Sequence, residues 1–316
     1  MVTIGRILTL VCLALLPRLV TGQDLAPRAY VITPVTSNAV VVAYSYLKGN
    51  VEFAGAVPIT GATADINLPS LGYYHSFSFL GRSANVAVVV PYGDGDFKGT
   101  VAQVPHDSHR SGMLDAVLRF AVNLVGGPAM EAPEFARWRQ GMLLGVSLKI
   151  VPPTGEYEPT KLINFGSNRW AFKPEIGYSQ RFGHWVLDAY GSVWFFTENP
   201  EFFSHNAYFP GTQSRSQEPI EAFETHLSYD IAPRFWVSLD ANYWWGGATA
   251  LNGVHNPLTY QKSSRVGITA SFPLTAHQSI KFSYNDGAYV RYGGNYQDVS
   301  LAWQYGWIGG AGARRP

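Results

Sequence analysis

The chain is poor in three things: cysteine, charge and long hydrophobic runs. Its one cysteine, Cys12, falls within the first 22 residues. The rest therefore has no thiol, no disulfide and no cysteine-based metal site. Charged residues make up only 14% of the chain, against roughly 25% in an average soluble domain. After residue 22 the longest apolar run lies near Val86–Val90, far short of the roughly 20 residues a spanning helix requires. A membrane form of this chain must then be a closed barrel, because lipid cannot satisfy an open sheet edge.

Met1 to Gly22 reads as a cleavable secretory signal. Arg6 supplies a positive start, Ile7 to Leu16 an apolar stretch, and Val20-Thr21-Gly22 small residues before Gln23. The apolar run continues past Cys12, which does not suit a lipidation site. Losing Arg6 and Arg18 leaves 21 Lys+Arg against 22 Asp+Glu, a net charge near −1. Near-neutrality gives no support for nucleic-acid binding. The abundant residues are aromatics, at 14%, and glycine, at 32 of 316 residues. Few charges with many aromatics is the profile of a transmembrane β-barrel.

Alternation carries the fold. Around the centre, Lys161 to Phe203, two strands meet at the tight turn Arg181-Phe182-Gly183-His184. Phe172, Ile176 and Tyr178 share one face against Lys173, Glu175, Gly177 and Ser179. Trp185, Leu187, Ala189, Val193 and Phe195 lie opposite Asp188, Tyr190 and Ser192. A period of two marks strands with one apolar and one polar face. The same reading predicts about twelve strands, at roughly 38–47, 71–80, 84–92, 112–125, 140–151, 170–181, 184–197, 218–231, 235–246, 261–273, 277–287 and 295–307. Most are near the 9–11 residues that cross the hydrocarbon at a tilt.

The connections alternate as well. Long polar loops are predicted at Lys48–Ser70, Gly93–Ser111, Pro152–Arg169, Thr197–Gln217 and Gly247–Tyr260. Short turns fall at Gly81–Ser83, Phe182–Gly183, Ala232–Arg234 and Leu274–Ala276. Long loops outside and short periplasmic turns are the habit of outer-membrane barrels. Gly126–Arg139 departs from it, and Ala129–Arg137 has the spacing of a small periplasmic helix. Aromatics near strand ends, including Tyr229, Phe235, Trp236, Tyr243, Trp245, Phe272, Tyr305 and Trp307, suit the interfacial girdles. The fold class is an all-β, transmembrane, antiparallel up-and-down β-barrel over residues 23–307, preceded by the signal and followed by a short tail, 308–316.

A charge facing lipid at mid-membrane costs roughly 2–4 kcal/mol, so the polar face must look into the lumen. The candidates are Asp115, Arg119, Lys149, Lys173, Glu175, Asp188, Glu224, His226, Asp240, Asn242, Arg265, Lys281, Asn285, Asp298 and Gln304. Asp240 near Arg265 and Lys281 near Asp298 are candidate cross-strand pairs. Twelve strands fall between eight-stranded barrels filled by side chains and porins with an aqueous channel; an open pore and a plugged one both fit. Phe195, Phe196, Phe202, Phe203, Tyr208 and Phe209 form a candidate aromatic entrance for an apolar solute.

Other chemistry finds little footing. Glu224, His226 and Ser228 share one face, but residues two apart in a strand are about 7 Å apart, too far for a His–Ser bond. His106, Asp107 and His109 lack further metal partners, and Gly93-Asp-Gly-Asp lacks EF-hand spacing. No catalytic residue, metal or cofactor is expected.

Several stretches resemble a known family: Thr154-Gly-Glu-Tyr, then Leu162-Ile-Asn-Phe-Gly-Ser-Asn-Arg-Trp-Ala-Phe-Lys-Pro-Glu-Ile-Gly, and Trp194-Phe-Phe-Thr-Glu-Asn. Leu239-Asp-Ala-Asn-Tyr with Gly246-Gly247, Ser263-Ser-Arg-Val-Gly and Trp303-Gln-Tyr continue it. The resemblance, over roughly Leu71 to Trp307, is to the transporter-like proteins described as "putative MetA-pathway of phenol degradation". It implies a bacterial outer-membrane barrel linked to uptake of aromatic or hydrophobic compounds, and brings no catalytic residues. The final strand, Asp298–Trp307, resembles the aromatic-ended strand by which such barrels are recognised for assembly, though IGGAGARRP follows it. The expected partners are outer-membrane lipid and lipopolysaccharide, the barrel assembly machinery, and a small hydrophobic or aromatic solute. The expected function is passive uptake of that solute. The alternatives are a structural or adhesion barrel acting through its extracellular loops, an outer-membrane hydrolase, and a secreted β-sandwich.

Overall fold

The computed structural model describes residues 25–52, 59–101, 103–207 and 209–309. The signal segment with Cys12, Tyr208, and residues 310–316 of the tail lie outside the described residues. The strands are β1 (Ser37–Glu52), β2 (Ile59–Phe79), β3 (Arg82–Val101), β4 (Val104–Met113), β5 (Val117–Val125), β6 (Met142–Val151), β7 (Ala171–Phe182) and β8 (Trp185–Phe196). They continue as β9 (Arg215–Gln217), β10 (Ile220–Ala232), β11 (Phe235–Gly246), β12 (Thr249–Leu251), β13 (Val254–Asn256), β14 (Gln261–Pro273), β15 (Gln278–Val290) and β16 (Gly293–Ile308).

Each long strand pairs antiparallel with its neighbours, as short hairpins require. The sheet closes where β1 meets β16, from Ser37 opposite Ile308 to Glu52 opposite Gly293. The result is a closed barrel of twelve staves. One stave is shared: β4 pairs with the upper half of β3 and β5 with the lower half. The predicted strand 112–125 is thus interrupted between Met113 and Val117. β9, β12 and β13 form a small separate sheet in the long loops.

Lipid and lumen sort the side chains. Leu187, Leu227, Leu239, Ile268, Tyr284 and Val299 stand opposite one another in register from β8 to β16, forming an apolar belt. Leu239, 64% exposed in mid-strand, is its most open member. Leu239→Arg is expected to destabilise the folded barrel by about 2–4 kcal/mol, measured by denaturant unfolding in lipid vesicles. A loss no larger than that of a substitution on an extracellular loop would contradict a mid-membrane place for this residue.

Two predicted loops are strand over most of their described residues. Within Lys48–Ser70, β1 runs on to Glu52 and β2 begins at Ile59; within Gly93–Ser111, β3 and β4 continue as a hairpin. Above the membrane the outer face meets water, so Lys48, Asp65, Asp96 and His109 stand there in one register row. The inner face stays apolar: Leu47, Ala64, Ile66 and Phe97 pack with Leu114, Phe165 and Tyr296. Polar outward residues and glycines imitate a loop, although the period of two persists. Phe165 and Ile163 belong to the loop between β6 and β7, which therefore leans on the inside of this raised wall.

At the opposite rim the connections are short: Leu80–Gly81, Gly183–His184, Pro233–Arg234 and residues 274–277. By the rule of long outer loops this is the periplasmic end. The expected small helix there is the single turn α1 (Ala132–Phe135), with Glu131 and Glu134 closing a capping box. Phe135 and Trp138 pack with Met130 and Leu143 on Ile32. Ile32 belongs to a segment for which the strand pattern gave no role.

Candidate functional site

Residues 25–36 precede β1 and enter the barrel from the periplasmic rim. At the rim, Thr36 N–H donates to the Ser76 carbonyl and Val35 N–H to that of Met130. Deeper in, side chains hold the segment. The Arg28 guanidinium pairs with Asp230 at 2.7 Å and lies 4.5 Å over the Trp236 ring. Arg28 N–H donates to Asp188 and Ala29 N–H to the Tyr190 hydroxyl. Trp236 thus faces the lumen mouth rather than an interfacial girdle.

Tyr30 is the main anchor, with 2% of its surface exposed. Its hydroxyl bridges Ser147 and Glu175 at 3.1 and 3.0 Å. Its ring meets Tyr190 edge-on, centroids 5.3 Å apart, and Arg119 lies 5.2 Å over it. The wall is recessed to receive it. By register, Tyr190 faces Gly177, Gly177 faces Gly145, and Gly145 faces Asn123. A Cβ on Gly177 would lie 2.0 Å from the Tyr30 ring, and one on Gly145 2.4 Å from it. Asn123 closes the slot by donating to the Tyr30 carbonyl. Leu25 comes near Gly267 less closely, 3.1 Å from where a Cβ would stand.

The charged candidates fall into three groups. Arg119, Lys149, Lys173, Glu175 and Glu224 surround a cavity of about 160 Å³ that is floored by Ala26 and Ala29 of the N-terminal segment. Lys173 Nζ sits 2.9 Å from Glu224 and 3.0 Å from Glu175. One step lower, Asp188, His226 and Asp240 are neighbours in register. His226 Nδ1 lies 2.8 Å from Asp240 and its Nε2 3.8 Å from Glu224. Ser238 and Thr269 donate to the Asp240 carboxylate. The His226 ring therefore turns to Asp240, while the buried Ser228 hydroxyl has no bonded partner among the described residues.

The third group corrects two expected ion pairs. Arg265 stands opposite Asn242 rather than Asp240, and bonds Asn285, which donates to Asp298. Lys281 stands opposite Ala302, not Asp298. A two-residue difference in register carries a side chain about 7 Å along the strand, enough to change its partner. Lys281 and Gln304 are exposed near the periplasmic mouth. Asp115 sits at the break between β4 and β5. Its carboxylate accepts from Gly155 and Ser167 and so fixes the loop after β6.

The aromatic candidates separate as well. Phe195 is exposed on the outward face of β8, with the lipid-facing side chains. Phe202 and Phe203 are buried with Leu162 and Leu251 as the core of their own loop, and Phe209 is half-buried. These two buried rings offer a passing solute no surface, because loop backbone this far from the barrel needs a core of its own. Tyr157 supports that loop by donating to the Glu201 carbonyl; burial pushes its hydroxyl up, which keeps it a donor. Among the five that the structure describes, Phe196 alone joins the lumen wall, stacked on Trp194 with Arg169 4.3 Å over its ring.

Closed strands, an apolar outside and an ionised inside define an outer-membrane β-barrel whose lumen holds its own N-terminal segment. The family model described as "putative MetA-pathway of phenol degradation" matches residues 48–303, and the chain belongs to that family. Its fold is similar to the crystal structure of an outer membrane channel from Pseudomonas putida F1, at 18% identity and a TM-score of 0.74, covering 90% of this chain and 100% of that one. It is also similar to the beta domain of the Bordetella autotransporter BrkA, at 10% identity and a TM-score of 0.50, covering 86% of this chain and 100% of that one. No protein of curated function matches the sequence.

Proposed function

We propose that the protein is a bacterial outer-membrane channel that passes small solutes down their gradient, leaning toward aromatic or otherwise hydrophobic compounds. In this reading residues 25–36 form its constriction. The observation that carries the reading is a lumen lined by both signs of charge and narrowed by a segment held through side chains. Charged linings of this kind select among permeants in channels. The family description, which refers to phenol degradation, and the channel named in the Pseudomonas structure support the same direction. Export through the signal at residues 1–22 and assembly through the aromatic last strand complete the proposal.

Liposome swelling and planar-bilayer conductance test it. Purified protein is expected to admit single-ring aromatic compounds faster than sugars of similar mass. If neither the full mature chain nor a variant lacking residues 25–34 admits any small solute, the channel reading falls. Intact surface binding by such a closed barrel would favour a role for its outer loops.

A further inference from the structure

The cavity above Tyr30 has a composition of its own. Arg119, Lys149 and Lys173 face Glu175 and Glu224 across it, three cations to two carboxylates. Lys173 is engaged by both acids. Arg119 is placed differently. Its Nη2 is buried, lies 4.0 Å from Glu175, and has no hydrogen-bond partner among the described residues. A buried guanidinium N–H lacking an acceptor is costly, and its planar fork suits a carboxylate. The rest of the lining is Tyr190, the methyl groups of Ala26 and Ala29, and Ser147, whose hydroxyl already accepts from Tyr30. Beside the cavity, Lys149 and Lys173 lie 5.6 and 5.8 Å over Trp194, whose buried Nε1 also lacks a partner among the described residues. At about 160 Å³ the space is close to the roughly 150 Å³ that holds one benzene ring.

We propose that this cavity binds a single-ring aromatic monocarboxylate. The carboxylate accepts from Arg119 beside Lys149, and the ring lies against Tyr190 and the two alanines. A neutral aromatic would fill the same volume but leave the Arg119 N–H without an acceptor. An aliphatic carboxylate would supply the acceptor and leave Tyr190 and the two alanines uncovered. The inference rests on the reading of the lumen as a solute path for its place in uptake, yet binding is measurable without transport.

Benzoate is the probe, titrated calorimetrically into the full mature protein in detergent, with benzyl alcohol and acetate as controls. Benzoate is expected to bind about tenfold or more tightly than either control, as a charge-assisted pair and a buried ring together allow. Arg119→Gln and Lys149→Met are each expected to weaken benzoate by about tenfold and leave benzyl alcohol unchanged. Gel mobility without boiling reports whether each variant keeps its barrel, and Lys149→Met carries the test if Arg119→Gln does not. Equal binding of benzoate and benzyl alcohol, equal binding of benzoate and acetate, or undiminished benzoate binding in the folded variants overturns the proposal. Benzoate binding by a barrel that passes no solute would remove the channel reading and leave the site standing.

Discussion

Deleting residues 25–34 is expected to raise single-channel conductance several-fold, with the barrel still folded. The deletion removes Arg28 and Tyr30 but keeps Val35 and Thr36, whose N–H groups bond the rim at Met130 and Ser76. The ladder from β1 to β16 does not depend on the segment, since it begins at Ser37. What is lost is mass inside the lumen and its anchors on the wall, among them Asp230, Asp188, Tyr190, Ser147, Glu175 and Asn123. Gly177→Val tests the same point with the chain at full length. Its Cβ alone would stand 2.0 Å from the Tyr30 ring, a distance van der Waals repulsion does not permit. Tyr30 must then leave its slot, and conductance is expected to move in the same direction by a smaller factor. Planar-bilayer recordings measure both. Unchanged conductance in the deletion would show that the constriction lies elsewhere, with the loop after β6 as the next suspect.

Lys173→Met is expected to cost about 3–5 kcal/mol of stability, the largest loss among single lumen substitutions. The ammonium lies between Glu175 and Glu224 with its side chain 4% exposed. Without it, two carboxylates face one another in a partly dry space, and neither gains a new cation. Removing one partner of a buried pair is more damaging than replacing the whole pair with apolar groups. The double substitution Lys173→Met with Glu224→Gln should therefore recover part of the loss. Lys281→Met at the exposed periplasmic mouth is the control, expected within about 0.5 kcal/mol of wild type. Unfolding midpoints in lipid vesicles provide the comparison. A Lys173 variant no weaker than the Lys281 variant would mean that water screens the central network.

The twelve staves were legible in the sequence because lipid and lumen impose opposite chemistry on alternate residues. That contrast fades above the membrane, where water wets the outer face. Asp65 and Asp96 then looked like loop residues although Ile66 and Phe97 kept the inner face apolar. The lumen side of the wall was legible as a set, but its pairs were not. Asp240 meets His226 and Thr269 instead of Arg265 because partners follow from register, and alternation does not fix register. The aromatic loop shows another limit: composition marks Phe202 and Phe203 without telling a mouth from a core. The N-terminal segment has no period at all. Its trace in the sequence is negative, in Gly145 and Gly177, strand glycines on the lumen face where a side chain would collide with Tyr30. A missing side chain on an inward position is the imprint of something lodged there.

The root of that segment sits on the seam of the barrel, with Thr36 accepting from Gly309 N–H just past the last strand. If the segment acts as the proposed constriction, a stopper hinged there would not drift away on swinging toward the periplasm. Its return would be a first-order event at an effective concentration in roughly the millimolar range for so short a tether. Reclosing would therefore proceed at the same rate however sparsely the protein is spread through the membrane.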